Sequence, residues 1–154
     1  MFLTIHVALS LIGILAGFVV VFTLLGGKQS MGWTPLFLAT TALTSITGFF
    51  LPATHLMPSH IIGIISLVVL AIAIAALYTF HLVGGWRRAY VIASVLALYF
   101  NVFVLVAQGF RRVPALKELA PTQTEPPFLI AQVIVMAVFI TLGVLATKRF
   151  RAIT

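Results

Sequence analysis

Residues 3–25 read LTIHVALSLIGILAGFVVVFTLL, an unbroken apolar stretch with no charged side chain. A bilayer core about 30 Å thick needs about 20 helical residues at about 1.5 Å each, so this run is long enough to cross. Four further runs follow, at 33–51, 60–83, 88–110 and 128–147. Each is continuously apolar rather than alternating, and backbone groups in lipid must be paired within their own segment, so helices rather than barrel strands are predicted. The expected fold is an all-α integral membrane protein, a five-transmembrane-helix bundle with short loops, forming a single membrane domain over residues 1–154.

Composition supports this reading. Hydrophobic residues make up 62% and charged residues 7% of the 154 residues, with a mean hydropathy of +1.25. A soluble domain is roughly 45–50% apolar and about 25% charged. The net charge of +7 does not imply nucleic acid, because the cations stand at the ends of the apolar runs, where membrane orientation places them. The expected surroundings are the lipid bilayer, with a homo-oligomer or a larger membrane complex as possible assemblies and no nucleic acid. With no cysteine, the chain offers no disulfide, thiolate metal site, iron-sulfur cluster or covalent haem attachment.

Punctuation marks the span ends. Gly26, Gly27 and Lys28 close the first run, Pro52 the second, Gly84 and Gly85 the third, Arg111 and Arg112 the fourth, and Lys148, Arg149 and Arg151 the fifth. The first run lacks a basic leading region and is too long for a signal-peptide core, so it is expected to persist as a span. With the N-terminus outside, Lys28, Arg87, Arg88, Lys148, Arg149 and Arg151 fall inside, against Arg111, Arg112 and Lys117 outside. The positive-inside rule therefore favours N-out and C-in. Compact size and short loops suit a bacterial inner membrane.

In that orientation the side chains with chemistry gather on one side. His6, His60, Gln108 and Gln132 lie near the outer ends of four different spans, and Asn101 lies on the same face of the fourth span as Ser94, Ala97 and Gln108. Asn and Gln in hydrocarbon are costly unless paired, so these faces are expected to look inward. The candidate ligand-binding residues are therefore His6, His60, Gln108, Gln132 and Asn101. His55, in the segment between the second and third spans, and Glu125, in the stiff proline-rich loop before the fifth, are candidates for a lid. Pro114–Leu119 in that loop is predicted to form a short interfacial helix, and Ser59 to cap the third span. His81, 21 residues beyond His60, belongs to the other side.

Other polar residues have a plainer explanation. His6, Ser10, Gly13 and Gly17 form a stripe whose glycines suit close helix packing. Thr40, Thr41, Thr44, Ser45 and Thr47 suit hydrogen bonds to their own helix, or a polar cavity wall.

No catalytic constellation is legible. Nucleophile turns, the H-E-x-x-H pattern and phosphate-cradling glycine loops are all absent. The sequence leaves three readings. The first is a redox ligand: His6 and His60 as axial metal ligands of a b-type haem, with Gly13 and Gly17 giving room for the ring, or a quinone hydrogen-bonded by His and Gln. The second is a path for a small neutral solute, and the third an accessory or assembly subunit of a membrane complex.

Overall fold

The computed structural model of the chain describes residues 2–28, 32–50 and 58–150. These form α1 (Phe2–Leu25), α2 (Trp33–Gly48), α3 (Pro58–Ile74), α4 (Trp86–Arg112), α5 (Pro114–Leu119) and α6 (Pro126–Arg149), with no strand among the described residues. A π-helical turn, Ala75–Thr79, prolongs α3. The class is the expected one, an all-α membrane bundle.

The span count differs. Among the described residues four helices are long and apolar enough to cross a bilayer: Thr4–Leu25, His60–Thr79, Trp86–Arg112 and Pro126–Arg149. The second apolar run instead yields the 16-residue α2, about 24 Å long, short of a 30 Å hydrocarbon core. Its helix gives way at Gly48 to a turn through Phe49 and Phe50, ahead of the expected stop at Pro52. Pro52 itself lies outside the described residues. α3 begins at Pro58, a favoured first helical residue, so Ser59 lies within the first turn rather than capping it. The short helix Pro114–Leu119 has the expected bounds.

α1 packs on α2 and α4, and α3 packs on the same two helices, so α1 and α3 stand at opposite corners of a four-helix ring. α6 lies outside that ring against α4 and α1. Glycines allow the tightest approach. A Cβ on Gly13 would lie 3.1 Å from Thr40 Oγ1, and one on Gly17 would lie 2.6 Å from Leu98 Cδ1 and 2.9 Å from the Phe37 ring. The glycine stripe of α1 is therefore packing surface, and the room it was expected to give a haem ring is occupied by α2 and α4. Phe37, Leu98, Val20, Leu24 and Leu70 fill the ring's interior.

The exterior is apolar. On α6, Ile130, Val133, Ile134 and Ile140 are each more than half exposed, the inverse of a soluble helix and the natural state of one facing lipid. Aromatic contacts dock α6 inward: Phe139 meets Phe18 at 6.0 Å and Tyr99 at 5.7 Å, and Phe128 meets Phe110 edge-on at 5.4 Å. At the other end of α6, Arg87 Nη1 donates to the carbonyl of Thr147 at 3.1 Å and to that of Phe150. A guanidinium on the last carbonyls of a helix satisfies orphan acceptors and meets the negative end of the dipole.

The α3–α4 connection turns sharply. His81 and Leu82 take φ of +50° and +61°, and Phe80 stacks on Trp86 at 4.1 Å. His81 is exposed there, at the far end of α3 from His60.

Candidate functional site: a cavity at one end of the four-helix ring

A cavity of about 460 Å³ opens where the start of α1, the end of α2, the start of α3 and the end of α4 meet. α1 contributes His6 and Ser10, α2 Thr44, Ser45, Gly48 and Phe49, α3 His60, Gly63 and Ser66, and α4 Asn101, Gln108 and Arg112, with aliphatic side chains and Phe100 between them. The helices run alternately up and down, which is why residues far apart in sequence share one level.

Four of the five candidate ligand residues, His6, His60, Asn101 and Gln108, thus line one cavity. Gln132 stands apart from them. Its Nε2 donates to the carbonyl of Phe103 at 3.2 Å, and its buried Oε1 has no partner. The reason is architectural: α6 docks outside the ring, so no face of it reaches the interior. Glu125 is not part of the wall either. Its carboxylate accepts from the Thr122 amide at 2.9 Å and from the Thr122 hydroxyl, fastening the turn before α6. These bonds hold the Glu125 carboxyl below the ordinary glutamate range. His55 lies outside the described residues.

At the rim, His6 Nδ1 is 2.8 Å from Thr47 Oγ1. The same hydroxyl lies 2.7 and 3.2 Å from the Leu43 and Thr44 carbonyls. With its one proton on a carbonyl, as is usual for a threonine within a helix, Nδ1 is the donor and Nε2 of a neutral ring keeps its lone pair. Across the ring, His60 stacks on Phe49 with centroids 5.6 Å apart. Arg112 Nε donates to Gln108 Oε1 at 2.9 Å, so the amide nitrogen of Gln108 and the remaining guanidinium N–H groups are left for other acceptors.

At the floor, Asn101 Nδ2 reaches Thr41 Oγ1 at 3.3 Å, a bond that crosses the ring from α4 to α2. Asn101 lines the cavity and Thr41 does not, so this bond marks its base. Thr40, Thr44 and Thr47 donate to the carbonyls four residues back, at 2.6, 2.7 and 2.7 Å. The hydroxyl density of α2 is thus mainly self-satisfied, the commoner role of such residues.

Two further residues complete the cavity. Arg112, by sequence a span end and with Arg111 and Lys117 a possible cationic partner for a haem propionate, puts a fixed positive charge at the mouth, the one such charge among the described lining residues. Ser66, 2% exposed, lines the cavity with a hydroxyl that has no hydrogen-bond partner. Ser66 is the one that sequence reasoning missed, and its only signal is that it is the sole hydroxyl between Ile61 and Leu77.

Among the described residues no group of three or more His, Asp or Glu side chains could hold a metal ion unaided. Comparison of the chain with protein-family models, with curated proteins and with solved structures found no significant match.

Proposed function

We propose that this chain binds a lipid-soluble redox ligand of the quinone class in the cavity between α1, α2, α3 and α4. The observation that carries this reading is where donors stand in the lining. The Ser66 hydroxyl has no partner, Asn101 commits one amide N–H to Thr41 and keeps the other, Gln108 keeps both of its N–H groups, and Arg112 supplies the fixed charge among the described lining residues. An apolar cavity with uncommitted donors at both its deep end and its mouth suits a flat apolar ring bearing acceptor oxygens. Its volume lies within the 300–1,000 Å³ typical of small-molecule sites.

A b-type haem is the second reading, favoured by His6 and His60. With Nδ1 donating to Thr47, His6 Nε2 keeps the lone pair that an iron ligand needs. His60 belongs to the opposite corner of the ring, and Arg112 at the mouth would face a propionate. Bound there, the haem would supply one-electron redox chemistry.

An absorption spectrum of the detergent-purified protein, followed by solvent extraction and mass analysis, tests both. Extractable quinone, or saturable uptake of a short-chain quinone by a colourless protein, is the expected result. A reducible Soret and α band, lost in His6→Ala or His60→Ala, would replace it with haem. A colourless protein that takes up no quinone would sink the redox reading in favour of solute passage or an assembly role.

We further propose a bacterial inner-membrane location with the cavity facing outward, N-terminus outside and C-terminus in the cytoplasm, supported by the Lys and Arg distribution and by the short α2, which packs on α1 and brings the chain back to the His6 end of the ring before α3 begins. The chain has no native cysteine, so Lys28→Cys and Glu125→Cys each give one labelling site. Position 125 should react with an impermeant thiol reagent in intact cells, and position 28 only after lysis.

A further inference from the structure

The cavity is not polar in the same way throughout, and its deep end carries an unmet need. A serine inside a helix ordinarily gives its proton to a carbonyl three or four residues back, as Thr40, Thr44 and Thr47 do here. Ser66 does not. Its hydroxyl is buried in the cavity wall and unbonded, and a buried donor without an acceptor is destabilising until something supplies one.

Ser66 lies six residues into α3 from His60, and Asn101 seven residues back along the oppositely running α4 from Gln108. At about 1.5 Å per residue both stand about 10 Å below the rim. Asn101 is braced by its bond to Thr41, which leaves its second amide N–H uncommitted.

We propose that Ser66 and Asn101 form a donor pair at the floor that binds a neutral carbonyl oxygen on the leading edge of the ligand. The ligand enters ring first, one carbonyl on the floor, with its second acceptor near the Gln108–Arg112 pair at the mouth. This rests on the quinone reading and sharpens it: the ligand class is a ring with carbonyl oxygens on opposite edges. A ligand that leads with an ammonium group, which has no acceptor, leaves the Ser66 proton unmet and is discriminated against.

The test is equilibrium dialysis of the detergent-purified protein against 2-methyl-1,4-naphthoquinone and against 2-methylnaphthalene, the same ring system without oxygens. Ser66→Ala and, separately, Asn101→Leu should each weaken naphthoquinone binding by about tenfold, the worth of one hydrogen bond to a bound ligand. Ser66→Ala should leave methylnaphthalene binding unchanged. Ser66→Ala removes no bond within the protein, so it stays folded even if Asn101→Leu does not. Unchanged naphthoquinone affinity in Ser66→Ala, or equal losses for both probes, overturns the donor pair and leaves quinone binding standing. A wild-type protein that binds neither probe overturns the quinone reading and the pair with it.

Discussion

The His6 ring and the Thr47 hydroxyl, 2.8 Å apart, couple their hydrogen bonding: a hydroxyl that gives its proton to the Leu43 carbonyl at 2.7 Å takes one from the imidazole. This joins the start of α1 to the end of α2 and sets the tautomer of a rim histidine. In ¹⁵N-histidine spectra of the protein in bilayers, His6 should show a protonated Nδ1 and an unprotonated Nε2. Thr47→Val should abolish that bias and cost about 0.5–1.5 kcal/mol of stability. A wild-type His6 protonated at Nε2 would refute the assignment.

Gly17 tests the packing of the ring. An added methyl group would meet Leu98 at 2.6 Å and Phe37 at 2.9 Å, two side chains that are themselves completely buried. Overpacking of this kind costs about 1–3 kcal/mol. Gly17→Ala should lower the thermal midpoint in detergent clearly, whereas Gly32→Ala, with open space around the new atom, should leave it nearly unchanged. Equal effects at the two positions would mean that α1 does not approach α4 this closely.

Arg87 ties the start of α4 to the last turn of α6 through two carbonyls. α6 has little other polar attachment, Gln132 excepted. Arg87→Met keeps most of the apolar stem and removes the guanidinium, so it isolates the cap. It should cost about 1–2 kcal/mol and speed proteolysis at the C-terminal end of α6, with Arg87→Lys intermediate. Protection equal to wild type in Arg87→Met would remove the cap from the account of stability.

Much of the site is legible in the sequence because depth is. Glycine pairs, prolines and cations punctuate the span ends, and counting from them puts His6, His60 and Gln108 at one level. Rotation is harder. α4 carries Asn101 and Gln108 seven residues apart on an otherwise apolar helix, so its inward face is marked. α6 is apolar all round, and nothing in its sequence says that Gln132 turns toward the back of α4 rather than into the ring. Length is ambiguous in α2, where aromatic residues prolong the apolar pattern past Gly48 although the helix does not continue. Ser66 is hidden for another reason: a lone serine in a span signals nothing until its usual carbonyl partner is seen to be unused.

The turn before α6 offers a pH-dependent test away from the membrane span. Glu125 accepts from the amide and hydroxyl of Thr122, and these bonds favour the charged carboxylate, lowering its pKa relative to an unfolded glutamate. A depressed native pKa means that the unfolded chain binds the proton more tightly. The turn's contribution to stability is therefore present above the unfolded pKa and is lost as pH falls through the folded one. The Thr122 amide resonance should titrate with an apparent pKa below the ordinary glutamate value, and Glu125→Gln should remove that titration. Because the carboxylate is exposed to solvent, added salt should shrink the pKa shift while leaving the cavity's ligand affinity unaltered. A Thr122 amide that titrates at or above the ordinary glutamate value would show that the carboxylate does not hold this turn.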